Sequence, residues 1–435
     1  MNLKKIAMGA FALSCAVSAQ ADVTIDITGA TAFRVATLDA IKATYVASGQ
    51  PFKYAHDRSA GGSNGATLSI WQGKFGSVPG VTTIRTSFNG SVEGVRAITQ
   101  GPAHNPNYLN NPAAFVSATS VVGGTEIAST TTPVIAAESE FAFSDVSIAA
   151  TPYAGFPVAP ADAKVGVVVF TMIANEGAPA GLSNITNKQF QALFSSGYMP
   201  LSVFSGDPAD SGSYVFATGR NDGSGTRTTY MAETGLGITT GVQQYTRGAI
   251  SGNTITQIHR VPAGGFSASI PGSAAANAST VWGKDIAGNG GYSSGSALRD
   301  DMGRTSAATQ VLDADGSVLL AAGDAPIHLV TWLSLGDAVP AKTAGAKILG
   351  YNGVTLDSIA AGASVMNATD KAKVTQGAYT AWSYQQLYRR ASLTGDAVTA
   401  YNVLKAAIPA NLGATGIPIA DMAVSRAVDG GPVAP

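Results

Sequence analysis

Eight consecutive residues, Gly219-Arg-Asn-Asp-Gly-Ser-Gly-Thr226, place one guanidinium, one carboxylate, two hydroxyls and three glycines within a single turn or two of chain. That mixture suits an oxyanion. Arg220 carries a planar fork that matches two oxygens at once, and Asp222, two residues on, is placed to hold the fork still. Gly223-Ser-Gly-Thr226 stands where a helix would begin, so unpaired amides and the helix dipole point at any anion there, and the glycines let it reach the main chain. An Asx-type turn with a helix cap accounts for the same octapeptide. Two further stretches, Gly29-Ala-Thr-Ala-Phe33 and Asn89-Gly-Ser91, offer hydroxyls and amides at a helix start, and each taken singly reads as an N-cap. Phe141-Ala-Phe-Ser-Asp145 closes an apolar run with a carboxylate that would serve equally as the cap of the next turn.

These residues need strands to deliver them. Val23-Thr-Ile-Asp-Ile27 alternates and meets the first polar loop, after which the spacing predicts a helix over Val35 to Tyr45. Val81 to Phe88 repeats the plan, with a helix over Val92 to Ile98. Lys164 to Ile173 and Ile327 to Leu333 are almost continuously apolar, as strands buried on both faces are. Thr186 with Gln189 forms a capping box for a helix through Phe194 that Gly197 stops. Helices are expected near Ala381 to Arg390 and Ala397 to Ala407, and residues 99–135 and 262–296 read as surface excursions and long loops. Repeated strand, loop and helix units predict an α/β chain of mostly parallel sheets, whose ligand crevice lies at the carboxyl ends of the strands.

Composition narrows the function classes. Charged residues make up 12 % and apolar ones 45 % of the 435, so a core is easily supplied. Lys4 and Lys5, the apolar run Ile6 to Val17 and Ala19-Gln20-Ala21 form the pattern of a secretory signal over 1–21, cut after Ala21. A lipid on Cys15 is the rival reading, with Leu13 one place off its usual position. The expected product is exported, periplasmic or secreted. Cys15 is the lone cysteine, so beyond the signal no disulfide or thiolate chemistry is expected. Without Lys4 and Lys5 there are 24 basic against 27 acidic residues, which does not suit nucleic acid. The four histidines lack metal-site spacing, and Asp313-Ala-Asp-Gly316 lacks the rest of a calcium loop. GxSxG occurs at Gly61 to Gly65 and Gly291 to Gly295, but neither follows an apolar strand, so a serine hydrolase is the weaker alternative. No catalytic residue, metal or cofactor is expected.

GRNDGSGTR resembles the R-x-D-G-S-G-T motif of the periplasmic phosphate-binding proteins that feed the high-affinity ABC phosphate transporter. The TGATAF loop, FNGSVEGV, FAFSD, NITNKQFQALFSSG and GAYTAWSYQQLY are similar to that family's landmarks in the same order, from about Val23 to Tyr388. The resemblance implies a type II periplasmic-binding-protein fold, two α/β lobes joined by two hinge strands. Lobe 1 would hold 22–165 plus 335–435, and lobe 2 would hold 166–334. It implies ligand contacts at Thr31, Ala32, Phe33, Ser91, Asp145, Arg220, Ser224, Gly225 and Thr226, with Asp222 bracing Arg220. Ala32 stands where the family usually has threonine, and Thr31 lies one place earlier. The chain is also longer, through insertions at 48–80, 99–135 and 262–296. The implied ligand is hydrogen phosphate, whose P–OH would donate to Asp145, and the implied partner is an inner-membrane ABC permease met by a monomer. Another oxyanion or a small organophosphate is the alternative ligand.

Overall fold

The computed structural model describes residues 22–58, 63, 65–127, 130–262, 290–413 and 416–435. The expected signal segment, most of the loop expected over 262–296 and most of Gly61 to Gly65 lie outside them. Among the described residues no helix is long and apolar enough to cross a membrane.

Val23–Gly29 forms a strand whose Ile25 and Ile27 are fully buried, as the alternation requires. It lies between two parallel neighbours, Thr82–Ser87 and Phe141–Ser144, with Ile25 opposite Ile84 and Ile27 opposite Phe141. A second parallel pair, Tyr214–Ala217 with Ile327–Ser334, sets Phe216 opposite Leu329. Two antiparallel strands link these groups. Lys164–Ala174, buried at every position but Lys164, pairs through Phe170 to Ala174 with Ile327–Ser334 and through Lys164 to Val169 with Trp382–Arg390. Trp382–Arg390 then pairs with Phe141–Ser144, Leu387 opposite Phe143. The fold is α/β, parallel where loops carry site residues and antiparallel where the chain crosses.

Side chains gather into two main apolar clusters. One holds Phe170, Phe190, Trp332, Leu335, Leu349 and Trp382; the other holds Ile25, Leu38, Trp71, Phe141, Leu387 and Leu404. The switch between clusters falls between Val165 and Val167 on one crossing strand and between Tyr384 and Leu387 on the other.

The expected helices run Arg34–Ala47, Ser91–Gln100 and Asn187–Ser196, the last with the complete Thr186/Gln189 capping box and Gly197 in the left-handed region at φ 90°. The helix expected near Ala397 to Ala407 runs Gly395–Ala407. The helix expected near Ala381 to Arg390 is instead the strand Trp382–Arg390. Its residues are buried from Trp382 to Tyr388, so neither face alternates, and periodicity alone does not separate a doubly buried strand from a buried helix. The aromatic content, Trp382, Tyr384 and Tyr388, agrees with the strand. The excursion over 99–135 carries more structure than its composition suggests. A small antiparallel sheet pairs Asn107–Leu109 with Val134–Ala136, and Tyr108, Leu109 and Phe115 are buried.

Candidate anion site

The expected site residues all follow the carboxyl end of a strand. Thr31–Phe33 is a 3-10 turn after Val23–Gly29; Ser91 opens its helix after Thr82–Ser87; Asp145 directly follows Phe141–Ser144; Arg220 to Ser224 lie between Tyr214–Ala217 and the helix Gly225–Glu233. Main-chain bonds lace these loops together. Ala30 N–H donates to the Phe143 carbonyl at 2.8 Å, and Gly90 N–H donates to the Gly29 carbonyl at 2.9 Å. Gly90 has φ 124°, a conformation open to glycine, and a Cβ there would meet the Gly223 carbonyl at 2.5 Å.

The arginine is held from three sides. Arg220, 1 % exposed, donates from Nε to the Tyr292 carbonyl at 3.0 Å, from Nη2 to the Ser293 carbonyl at 2.9 Å and from Nη1 to Thr31 Oγ1 at 3.0 Å. Thr31, rather than Ala32, thus supplies the hydroxyl of the first loop. Burial pulls the Arg220 guanidinium down to about 10, with Asp337 and Asp145 the charges that oppose the shift. Asp222 is buried beside the turn, but these three donors go to carbonyls and a hydroxyl.

Asp145, 1 % exposed, sits at the meeting point of the other loops. Ser91 Oγ donates to its Oδ1, and Thr226 Oγ1 donates to its Oδ2 at 3.3 Å. The Asp145 amide donates to Ser91 Oγ at 3.2 Å. Burial pushes this carboxyl above the usual carboxylate range, against the pull of Ser91, its own amide, Arg220 and Thr226. Gly225 packs so closely that a Cβ would overlap both Asp145 and Ser91. Ser224 caps the helix, its Oγ accepting from Arg227 N–H at 3.3 Å. The Gly223 carbonyl accepts from Val92 N–H at 3.1 Å and Glu93 N–H at 3.3 Å, so the amides at the start of the Ser91 helix are bonded across to the arginine loop.

Phe33 is buried and contributes a ring, its centroid 5.9 Å from that of Phe143. Ala32 is half-buried and, with Thr31 and Phe33, also lines a cavity bordered by Arg34, Arg299 and Asp337.

The chain matches no family model and no curated protein. It is similar to solved structures of phosphate-transport binding proteins. A putative phosphate ABC transporter substrate-binding protein with bound phosphate from Clostridium perfringens aligns at TM-score 0.41 and 10 % identity, over 91 % of this chain and 99 % of that one. An ABC-type phosphate transport receptor from Vibrio cholerae aligns at 0.39 and 10 %, over 90 % and 98 %. PstS from Borrelia burgdorferi aligns at 0.34 and 11 %, over 91 % and 98 %. At these values the functional reading rests on this chain's own geometry.

Sequence reasoning missed the residues that fix Arg220. Tyr292 and Ser293 fall in a stretch read as loop, yet Tyr292 is buried, bridges Arg220 and donates from its hydroxyl to Asp301 at 2.8 Å. Arg227 Nη1 and Gln244 Nε2 hold the Arg220 carbonyl at 3.3 and 3.1 Å. The signal available was Gly291, where a Cβ would lie 2.6 Å from the Arg220 carbonyl carbon: a glycine required by a close backbone approach. The Gly291 to Gly295 match to GxSxG is a helix start. Ser294 is its N-cap, accepting from Ala297 N–H at 3.1 Å.

Proposed function

We propose that this chain captures inorganic phosphate, as hydrogen phosphate, between two lobes whose cores are the two apolar clusters. The observation that carries the reading is the convergence of Thr31, Ser91, Asp145, Arg220 and Thr226, from four strand ends, on one buried cluster. Arg220 supplies the fork; the hydroxyls of Ser91 and Thr226, which here donate to Asp145, turn to the anion when it enters; and the starts of the Ser91 and Gly225 helices favour negative charge.

A carboxylate in such a cluster suits a ligand that keeps a proton. Ionised Asp145 accepts the P–OH of hydrogen phosphate, whereas sulfate, without a proton at neutral pH, meets it lone pair to lone pair. Leaving that buried charge unpaired disfavours sulfate by about 10⁴-fold, as in other sites built on a hydrogen bond. The Gly223 carbonyl and Gly225 lie where they close on the Ser91 helix and Asp145, so entry of the anion requires the arginine loop to swing away and return with it. The two crossing strands, where core membership switches, are the hinge. Delivery to an ABC permease from outside the inner membrane completes the reading, with transport rather than catalysis as the role.

Calorimetric titration of the purified chain with phosphate, sulfate, arsenate and glycerol 3-phosphate tests it. Phosphate should bind one equivalent in the micromolar range or tighter, with arsenate close behind. Tighter binding of sulfate, or an ester that displaces bound phosphate and binds more tightly than it does, would sink the assignment.

A further inference from the structure

Beside the first loop lies a cavity of about 520 Å³, the size of a pocket for a small organic molecule rather than for a bare oxyanion. Thr31 to Ala36 line one wall; the start of the helix Leu335–Thr343 lines another. Three arginines border it: Arg34, Arg58 and Arg299. Arg58 and Gly65 fall in the insertion over 48–80, so a segment that lengthens the chain supplies part of the wall.

The arginines differ in how they are matched. Arg299 donates from Nε to Asp300 at 2.8 Å, pairs through Nη2 with the same carboxylate at 2.7 Å and stands 3.9 Å from Asp337. Arg34 is 3 % exposed, and among the described residues its Nε and Nη1 have no hydrogen-bond partner. A guanidinium stays charged in a protein, and leaving buried donors unmade is costly, so an anion entering the cavity would gain from meeting them. Asp337 is the strongest favourable charge on Arg34, but no ion pair joins them. Ser334, before the Leu335 helix, makes no side-chain cap, and its Oγ is likewise without a partner. Leu335 and Leu412 add apolar wall.

We infer that this cavity is a second binding site, which takes a small organic oxyanion, a carboxylate or a phosphate monoester on a compact body, with its acid group on Arg34. The site does not depend on the phosphate reading, although it borders the Arg220 cluster through Thr31, whose hydroxyl faces Arg220, and through Asp337, the largest charge acting on Arg220. Butyrate and glycerol 3-phosphate are the two probes, titrated into the full mature chain with and without saturating inorganic phosphate. At least one should bind with one equivalent while phosphate is present. Arg34→Gln should weaken that binding at least about tenfold, and Arg34→Lys, which keeps the charge but not the fork, should weaken it less. Arg220→Ala should weaken it less than Arg34→Gln does while removing inorganic phosphate binding. A melting curve confirms that each variant is folded. Failure of both probes to bind at 10 mM on the order of a weak-site limit overturns the inference, and so does binding that survives Arg34→Gln or is displaced by inorganic phosphate. Loss of inorganic phosphate binding alone, with the probe and its Arg34 dependence intact, would count against the Arg220 cluster and not against this cavity.

Discussion

At Arg220 a single side chain joins loops separated by 189 residues, since its Nη1 reaches Thr31 while its other nitrogens stay within its own half of the molecule. Replacing it by alanine removes the fork and frees the Tyr292 and Ser293 carbonyls. Arg220→Ala should abolish phosphate binding in equilibrium dialysis at any concentration up to about 1 mM, a loss of at least about 4 kcal/mol from a micromolar site. Gly225 makes a different demand. Any Cβ collides with Asp145 and Ser91, so Gly225→Ala should prevent the arginine loop from closing and weaken phosphate at least about tenfold, with the thermal midpoint measured alongside to separate closure from folding. The strand-end loops were legible in the sequence, but their residue types alone also suited turns and helix caps, and it was the resemblance of GRNDGSGTR that singled them out as ligand contacts. Tyr292, Ser293 and Gln244 were not legible, because they act through carbonyls and an amide side chain and carry no motif.

At the scale of elements, local signals with a stereochemical cause were readable. The Thr186 cap is one: its Oγ1 accepts from Gln189 N–H at 3.2 Å while Gln189 Oε1 accepts from Thr186 N–H at 2.9 Å. Thr186→Ala should cost about 1 kcal/mol in chemical denaturation, without changing phosphate affinity. The strand Trp382–Arg390 was not readable as a strand, since burial on both faces erases the period that distinguishes it. Against the end of that strand, just before its neighbour Phe141–Ser144, lies a titrating group. Glu140 accepts from Asp26 N–H at 2.8 Å and from Arg390 Nη2 at 2.6 Å, yet burial pushes its carboxyl up to about 7. A raised acid favours the folded state when protonated. Its contribution is therefore full below the ordinary glutamate value of 4.5 and is lost as pH rises through about 7. Glu140→Gln should flatten the change of melting temperature between those two pH values.

For the whole molecule the question is what ties the halves together. Two crossing strands do so in the sheet, and the C-terminal tail does so again. Arg426 pairs with Glu233 at 2.8 Å, both nearly buried, while Asp429 accepts from the Ser147 amide at 2.8 Å. Breaking a buried pair leaves a charge uncompensated, so Arg426→Ala should lower stability by about 3 kcal/mol in denaturant unfolding. None of this long-range bracing had a sequence signature, because the partners are 193 and 282 residues apart and each is an ordinary polar or charged residue in its own segment. The mixed order of the sheet was hidden for the same reason: which strands become neighbours is decided by packing between distant segments, not within them. The central claim, that Asp145 reads the proton of hydrogen phosphate, is tested most directly by the ratio of phosphate to sulfate affinity in the native chain and in Asp145→Asn, measured by calorimetry at neutral pH. The account predicts a ratio near 10⁴ that falls by at least about a hundredfold when the carboxylate becomes an amide able to donate to sulfate. An unchanged ratio, in a variant that still binds phosphate, would contradict it.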